Sequence, residues 1–303
     1  MRQVSRRTFV KATAASAALA AAWKFTPYLM ADPLGLPLGV QLYSVRDLLP
    51  KDYEGTLKQL SAIGYREVEA AGFFDKTVSQ VKQALDAAGL KCVSSHYSMD
   101  KLVPQLDSII QFNKDVGVHY LVCAAPMPKG AEKLPAGDPR ASREAMTLDD
   151  WRWCAEQFNQ IADKVQAAGM KFAYHNHVTE FRSFDGTIVY DEMLKLTDPA
   201  KVAMELDCGW CVIAGKDPAD YLSRYSSRFA MLHVKDFKIT GPINPKKFPP
   251  STELGHGTID YHPIFKAAKE CPLEHAFIEQ EEFDMPLMEA LKVDADFVRR
   301  FTV

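Results

Sequence analysis

Short apolar runs alternate with longer amphipathic segments along most of this chain. The short runs are rich in Val, Ile, Leu, Phe and Tyr, as buried strands are, and the longer segments repeat their apolar positions every three or four residues, as helices do. Glycines such as Gly64, Gly89 and Gly117 follow several amphipathic segments, where glycine is typical of a helix C-terminus. The pattern predicts strands at residues 39–43, 66–69, 91–96, 119–124, 171–176, 202–207, 228–233 and 275–279. It predicts helices at residues 53–63, 77–88, 102–116, 148–168, 190–196, 218–224, 261–269 and 287–300.

These elements form eight strand and helix units in strict alternation. An alternating order over roughly 265 residues is typical of a (β/α)8 TIM barrel. We therefore predict an α/β fold with a single TIM barrel domain over residues 36–303. Two connections, residues 126–147 and 236–257, are longer than ordinary βα loops and follow the C-terminal ends of strands. We expect both on the active face of the barrel.

The first 31 residues have a different pattern. Arg6 and Arg7 precede Phe9 and Lys11, and an Ala-rich apolar stretch comes next. A positive segment followed by a short apolar stretch and small residues predicts a secretory signal. The arginine pair resembles the twin-arginine signal, which directs export. We therefore predict a twin-arginine-type signal segment at residues 1–31, the Tat export machinery as a partner and a periplasmic location, with an uncleaved anchor as the alternative.

Composition narrows the class of protein. The chain has 303 residues, of which 47% are hydrophobic, and a formal net charge of -3. A chain with this hydrophobic content can build a large core, and without a basic excess nucleic acid is not expected as a partner. Six cysteines are spread thinly, unlike those of a disulfide scaffold. Cys208 and Cys211 form an isolated C-x-x-C pair without a second pair, which disfavours a redox or zinc function.

Polar side chains recur near the C-terminal ends of the predicted strands. Alternation predicts that the following side chains share one face of their strand: Gln41 and Tyr43; Ser94 and His96; His175 and His177; Glu205 and Asp207; Met231, His233 and Lys235; Phe277, Glu279 and Glu281. Gln41 and Tyr43 are expected to point into the barrel. A lone buried histidine is usually a hydrogen-bonded core residue. Here, however, polar side chains recur at the C-terminal ends of several strands, where TIM barrels carry their catalytic residues. This recurrence favours an active site.

Four side chains at the ends of strands five to eight are the strongest candidates for metal ligands. They are Glu180, Asp207, His233 and Glu279. The ends of neighbouring strands in a closed barrel lie close together, so these groups can converge on one point. Three carboxylates and an imidazole suit Mn, Mg, Co, Fe or Zn better than ions that prefer thiolates. The sequence therefore predicts one divalent metal ion with room for substrate oxygens.

Six segments, in their order and spacing, resemble the xylose isomerase-like sugar phosphate isomerase/epimerase superfamily. They are GVQLYS at 39–44, HNHVTEF at 175–181, LDCGW at 206–210, HVKD at 233–236, LGHGTID at 254–260 and IEQEE at 278–282. The resemblance covers essentially all of the chain after the N-terminal segment. It implies a TIM barrel whose metal is held by Glu, Asp, His and Glu, three of which are Asp207, His233 and Glu279 here.

The first metal ligand has two candidates. Many relatives carry Glu-Asn at the end of strand five, where this chain has His175 and Asn176. The chain looks like a subgroup with the pattern His-Asn-His-x-x-Glu-Phe, whose glutamate is Glu180 here. The resemblance therefore implies that Glu180 swings in as the first ligand, or else that His175 takes that place.

The resemblance also implies proton abstraction next to a carbonyl, with the metal stabilising the resulting negative charge. The candidates for proton transfer are Glu180, Glu279, His175, His177 and Lys235. The candidates for substrate binding are Gln41, His96, Trp210 and His256. Trp210 is able to stack on a sugar face. His256 stands where many relatives have Glu.

The predicted export argues against a sugar phosphate as the substrate, because such esters are mainly intracellular. There is also no glycine-rich phosphate loop. We expect a non-phosphorylated sugar or glycoside and a metal-dependent isomerase or epimerase. A 3-keto-glycoside lyase or hydrolase would use the same proton abstraction. A periplasmic carbohydrate-binding protein without catalysis is the alternative from another class.

Overall fold

The computed structural model describes residues 33–131, 139–244 and 247–303. The signal segment predicted at residues 1–31 lies outside the described residues. No helix in these described ranges has both the length and the apolarity that crossing a bilayer requires.

Parallel strands close into an eight-stranded barrel in the part of the chain that the structure describes. The strands are Gly39–Gln41 (β1), Glu67–Ala70 (β2), Lys91–Ser98 (β3), Tyr120–Ala125 (β4), Lys171–His175 (β5), Val202–Asp207 (β6), Phe229–Val234 (β7) and His275–Ile278 (β8). Each strand pairs with its neighbours in the sequence, and β1 pairs with both β2 and β8. This topology confirms the predicted (β/α)8 TIM barrel.

Helices surround the barrel. They are Tyr53–Ile63 (α1), Val78–Ala88 (α2), Met99–Val116 (α3), Pro139–Ala145 (α4), Leu148–Ala167 (α5), Val189–Leu196 (α6), Cys208–Ile213 (α7), Pro218–Arg224 (α8), Tyr261–Ala268 (α9) and Leu287–Arg300 (α10). The side chain of Asp52 caps the start of α1 by accepting from the backbone of Gly55. Gly64 ends α1 at φ 114°, a left-handed backbone conformation that favours glycine because other side chains are strained there.

Two local features differ from the predicted pattern. Strand β1 ends at Gln41, because the side-chain oxygen of Gln41 accepts from the backbone of Tyr43 at 2.9 Å and starts a 3-10 turn at Leu42–Val45. Tyr43, which was predicted to lie in the strand, lies in this turn instead; it is 41% exposed and lines the cavity described below. Helix α3 begins at Met99, earlier than predicted, and its backbone leaves the helical region at Gln105, after Pro104.

The interior of the barrel is divided into two halves. A small apolar cluster fills the half near the strand N-termini, and it consists of Val93, Tyr120, Val122, Ala173, Ala230, Met231 and Phe277. The larger core lies between the strands and the surrounding helices. Met231 and Phe277 occupy the inner cluster, as the predicted faces of β7 and β8 require. Buried polar side chains such as Glu69, Asp207 and His233 lie beyond this cluster, toward the C-terminal ends of their strands.

The two long connections contribute to the active face. In the second, Asp236–Phe237 pairs with Ser251–Thr252 as a small antiparallel ladder. The carboxylate of Asp236 accepts hydrogen bonds from the backbone of Phe237, Gly255, Gly257, Thr258 and Ile259. Arg143 from the first connection and Phe248 from the second line the cavity described below, which confirms their predicted place.

The stability of the barrel should depend on the protonation of Asp294. This residue of α10 is buried, with one carboxyl oxygen accepting from the backbone of Leu254 at 2.7 Å. The other oxygen has no hydrogen-bond partner among the described residues. Burial, then the neighbouring Glu253 and Asp236, raise the pKa of Asp294 to about 8. Because the folded-state pKa exceeds the unfolded one, the stabilisation is complete below about pH 4 and is lost as the pH rises toward 8.

We expect Asp294→Asn to flatten this pH dependence, since asparagine keeps the acceptor for Leu254 and cannot ionise. Between pH 5 and pH 9 the wild-type protein should lose on the order of 3 kcal/mol of stability relative to the variant. Thermal unfolding of both proteins across this range measures the difference. Parallel curves of Tm against pH would contradict the assignment.

Candidate metal and active site

The register of the last three strands aligns three of the predicted metal ligands. Asp207 at the end of β6 lies directly opposite His233 in β7, and the backbone of Glu279 donates to Val234 at 3.1 Å. The ligand atoms of Asp207, His233 and Glu279 all lie within 4.8 Å of one another, and all three residues are buried. The structure thus brings these three residues together as predicted.

Asp207 has one oxygen engaged and one available. Its Oδ1 accepts from the backbone of Trp210 at 2.7 Å and caps α7, a helix that the sequence pattern did not predict. Its Oδ2 is buried and has no hydrogen-bond partner in the described part of the chain. Burial raises the pKa of Asp207 to about 6. The carboxyl group therefore has an open coordination position at the centre of the group.

Lys235 supplies positive charge beside this group. Its ammonium lies 2.7 Å from Oε2 of Glu279, 2.5 Å from Oε1 of Glu281 and 3.6 Å from Oδ2 of Asp207. Although burial opposes both charges, the attraction raises the pKa of Lys235 and holds the pKa of Glu279 well below its ordinary range. Glu279 is therefore an ionised carboxylate, and Lys235 is an ammonium ion.

A second group of polar side chains lies deeper in the barrel. It joins His96, His175, Glu205 and His233, whose ligand atoms also lie within 4.8 Å of one another. Oε2 of Glu205 lies 2.8 Å from His96 Nε2 and 3.0 Å from His175 Nδ1. Burial and the charge of Glu69 raise the pKa of Glu205 to about 7. His96, predicted as a substrate contact, thus also belongs to an internal network.

Glu69 and Glu205 were not among the predicted site residues. Both are fully buried, and Glu69 contacts His233 and His96. The signal was present in the sequence, because Glu69 is near the C-terminal end of β2 and Glu205 shares a strand face with Asp207. An inward carboxylate on β2 can reach β7, since the barrel is narrow enough for side chains to fill it.

His175 and His177 are neutral imidazoles. Burial, followed by nearby positive groups, lowers the pKa of each well below its ordinary value. His175 is engaged by Glu205, whereas the buried Nδ1 of His177 has no hydrogen-bond partner among the described residues. The ring of His177 lies 6.3 Å from that of Trp210. Of the two rings, only that of His177 makes no hydrogen bond to the described residues.

A cavity of about 790 Å³ opens above these groups. His96, His175, His177, Glu279 and Trp210 line it, as do the cationic side chains Lys101, Arg143 and Lys247. Trp210 packs against Phe237 and Phe248, with ring centroids 5.1 and 5.4 Å apart. The cavity therefore combines a polar floor with an aromatic wall, an arrangement that suits a sugar.

Three predicted site residues neither line this cavity nor contact Asp207, His233 or Glu279. Glu180 is buried on the helix side of β5, where the hydroxyls of Tyr174 and Thr179 donate to its carboxylate. Gln41 is buried and donates to Glu69 at 2.8 Å, so its amide is used inside the barrel. The side chain of His256 is 54% exposed and lies 3.7 Å from Glu253. For the first metal ligand, the structure places His175 near His233, with ring centroids 4.4 Å apart, and places Glu180 elsewhere.

The residues present fit a divalent cation. Asp207, His233 and Glu279 offer oxygen and nitrogen donors at close range, and the free oxygen of Asp207 is a buried acceptor that a cation would satisfy. No cysteine of the described residues belongs to either group of candidate metal ligands. Cys208 and Cys211 are buried in α7 as free thiols, and burial raises the pKa of both.

Comparison with known proteins agrees with the fold. The family described as xylose isomerase-like TIM barrel matches residues 57–301. The inosose dehydratase of Lacticaseibacillus casei is 24% identical over 249 residues, covering 77% of this chain and 83% of that protein. A sugar phosphate isomerase/epimerase from Parabacteroides distasonis has a TM-score of 0.68 and 25% identity, covering 87% of this chain and 97% of that one. A xylose isomerase-like TIM barrel protein from Mycobacterium smegmatis, solved in complex with magnesium, has a TM-score of 0.59 and 13% identity, covering 88% of this chain and 96% of that one.

Proposed function

The chain belongs to the xylose isomerase-like TIM barrel family, and we propose that it is a metal-dependent enzyme that removes a proton next to the carbonyl of a non-phosphorylated sugar or sugar derivative. The observation that carries this proposal is the convergence of Asp207, His233 and Glu279 within 4.8 Å of one another, with Glu279 also lining the cavity. The donors suit Mn, Mg, Co or Zn.

Asp207, His233 and Glu279 would hold the ion, with His175 as the candidate for a fourth ligand. A bound divalent ion would polarise the substrate carbonyl and stabilise the negative charge that develops on its oxygen. Glu279 serves as a ligand and not as a base, because Lys235 and His233 hold its pKa well below the ordinary value and so make its carboxylate a poor proton acceptor. Lys235 keeps that carboxylate in place.

His177 is our candidate for the group that takes the proton. It faces the cavity as a neutral imidazole, and its Nδ1 has no partner in the described part of the protein. A base must reach the proton directly or through one water, and a pre-engaged nitrogen such as Nδ1 of His175 is less available. Trp210 would pack on the sugar face and orient the reacting carbon toward His177.

Removal of the proton leaves a carbanion next to the carbonyl, and what happens to this carbanion distinguishes two candidate reactions. Return of the proton to the same or the neighbouring carbon gives epimerisation or isomerisation. Loss of a group from the β carbon gives elimination, in which the C–H and C–O bonds break and a double bond forms between the two carbons. The similarity to an inosose dehydratase favours keeping this second candidate, since a dehydratase removes water. A keto-glycoside would lose its aglycone by the same route.

Deuterium exchange tests the proposal. The Mn²⁺-loaded protein is incubated in D2O with free sugars, glycosides and 3-keto-glycosides. Phosphorylated counterparts are included because Lys101, Arg143 and Lys247 line the cavity. We expect deuterium at a carbon next to a carbonyl of a non-phosphorylated compound, together with either an isomer or an eliminated product. Absence of exchange in every compound would contradict the enzymatic function and favour a binding protein.

We also propose that the protein is exported to the periplasm by the Tat machinery. Support comes from the Arg6-Arg7 segment and its apolar continuation. Fractionation of cells that make the full chain tests this location. A wholly cytoplasmic protein would contradict it.

A further inference from the structure

His233 lies between the two polar groups and presents one ring nitrogen to each. Its Nδ1 is 3.2 Å from Glu279 and 3.8 Å from Asp207. Its Nε2 is 2.6 Å from Oε2 of Glu69. An imidazole that binds a metal through one nitrogen carries its proton on the other, and that proton needs an acceptor. Glu69 supplies the acceptor on the side away from the other metal ligands.

Glu69 is itself held on several sides. Gln41 donates to its Oε2 at 2.8 Å, Ser94 donates to its Oε1 at 2.5 Å, and His96 Nε2 lies 2.9 Å from Oε2. These contacts come from β1 and β3, the two strands that flank β2 in the barrel. Glu69, Gln41 and Ser94 are fully buried, so water does not compete for the carboxylate. The acceptor is therefore fixed before any metal arrives.

The deeper group is better described as support than as a second metal site. Each nitrogen that it offers already faces a carboxylate: Nε2 of His96 and Nδ1 of His175 face Glu205, and Nε2 of His233 faces Glu69. A metal ion there would have to break all three contacts. The group near Asp207 has one such contact, from Nδ1 of His233 to Glu279. Each group keeps one buried carboxyl oxygen without a hydrogen-bond partner among the described residues, Oδ2 of Asp207 and Oε1 of Glu205.

We propose that Glu69 is a positioning residue that accepts the Nε2 proton of His233, so that Nδ1 is directed at the metal. This inference rests on the proposed function, because it assumes the metal at Asp207, His233 and Glu279. Loss of a carboxylate behind a metal-binding histidine typically lowers metal affinity about 10- to 100-fold. Glu69 acts through His233 and does not itself touch the substrate cavity.

The test is Mn²⁺ binding by calorimetry to the full chain after chelation, comparing wild type with Glu69→Gln. We expect the Kd of the variant to rise about 10- to 100-fold. Glu67→Gln is the matched control, because Glu67 lies on the same strand and contacts a histidine, His275, at 2.7 Å. His275 is at the start of β8, away from the metal ligands, so the control should bind Mn²⁺ like the wild type.

A second readout separates positioning from general loss of structure. NMR spectra of Zn²⁺-loaded protein labelled with ¹⁵N-histidine report which ring nitrogen of His233 carries the proton. We expect that proton on Nε2 in the wild type and in Glu67→Gln. In Glu69→Gln we expect the ¹⁵N signals of His233 to change. Should Glu69→Gln fail to fold, Ser94→Ala removes one donor to Glu69 without changing charge, and its Kd should rise a few-fold.

The possible outcomes are distinct. An unchanged Kd and an unchanged His233 signal in Glu69→Gln would overturn the inference while leaving the proposed function intact. Two ions per wild-type chain, one of them absent in Glu69→Gln, would also overturn it, because Glu69 would then be a ligand. A wild-type chain that binds no Mn²⁺ would overturn the proposed function and this inference with it.

Discussion

Replacing Asp207 with asparagine is expected to abolish tight Mn²⁺ binding and to slow substrate deuterium exchange by at least about 10³-fold. The substitution is nearly isosteric. Asparagine keeps a side-chain oxygen that can accept from the backbone of Trp210, so the cap of α7 survives. What disappears is the negative charge of the buried Oδ2, the acceptor with no hydrogen-bond partner among the described residues. Because the substitution removes a charge but keeps the shape of the side chain and the helix cap, the Tm of the apo variant should not fall.

Calorimetry with Mn²⁺ and exchange in D2O measure the two effects on the same sample. Asp217→Asn is the matched control, since Asp217 also caps a helix, α8, but is exposed and lies outside the metal group. The control should bind Mn²⁺ and exchange deuterium as the wild type does. If Asp207→Asn retained both properties, the metal would have to lie elsewhere, and the proposed site would be wrong.

The position of Asp207 could be predicted from the sequence because few variables decide it. Alternation along a strand fixes the face, and parallel pairing in a closed barrel places the C-terminal ends at one level. Asp207, His233 and Glu279 all follow apolar runs of β6, β7 and β8, so their convergence follows from the fold class alone.

The position of Glu180 could not be predicted from strand alternation. It lies beyond the end of β5 in a 3-10 turn, Thr179–Phe181, where the alternation of faces no longer holds. The hydroxyl of Tyr174, an outward-facing residue of β5, donates to its carboxylate and holds it on the helix side. Such a contact depends on the exact path of a short turn. A periodic pattern therefore cannot decide between Glu180 and His175.

Side-chain contacts across the barrel interior are the second kind of feature that the sequence pattern did not predict. Gln41 was predicted to bind substrate because it points inward, and the inward direction is correct. Barrel closure brings β1 against β2, and Glu69 takes the amide before any substrate can reach it. Glu69 in turn meets His233 from five strands away in the sequence order. Pairings of this kind follow from how side chains fill the interior, which depends on all eight strands at once.

Replacing His177 with asparagine is expected to lower the rate of deuterium exchange about 10²- to 10⁴-fold, the range typical of a lost general base. Mn²⁺ affinity should change less than about 3-fold, because His177 lies outside both groups of candidate ligands. Asparagine retains polarity but cannot take up the proton. Exchange in D2O gives the rate, calorimetry gives the affinity, and the exposed His256→Asn provides a control for loss of a histidine.

The separation between rate and affinity is what identifies the base. His175→Asn should reduce both, because His175 adjoins His233 and the buried Glu205 as well as the cavity. If His177→Asn exchanged deuterium at the wild-type rate, the proton would have to go to another group. Lys235 could not be that group while Glu279 and Glu281 hold it as an ammonium ion. His175 would then remain as the neutral imidazole at the cavity floor, and metal binding and proton transfer would depend on the same residue.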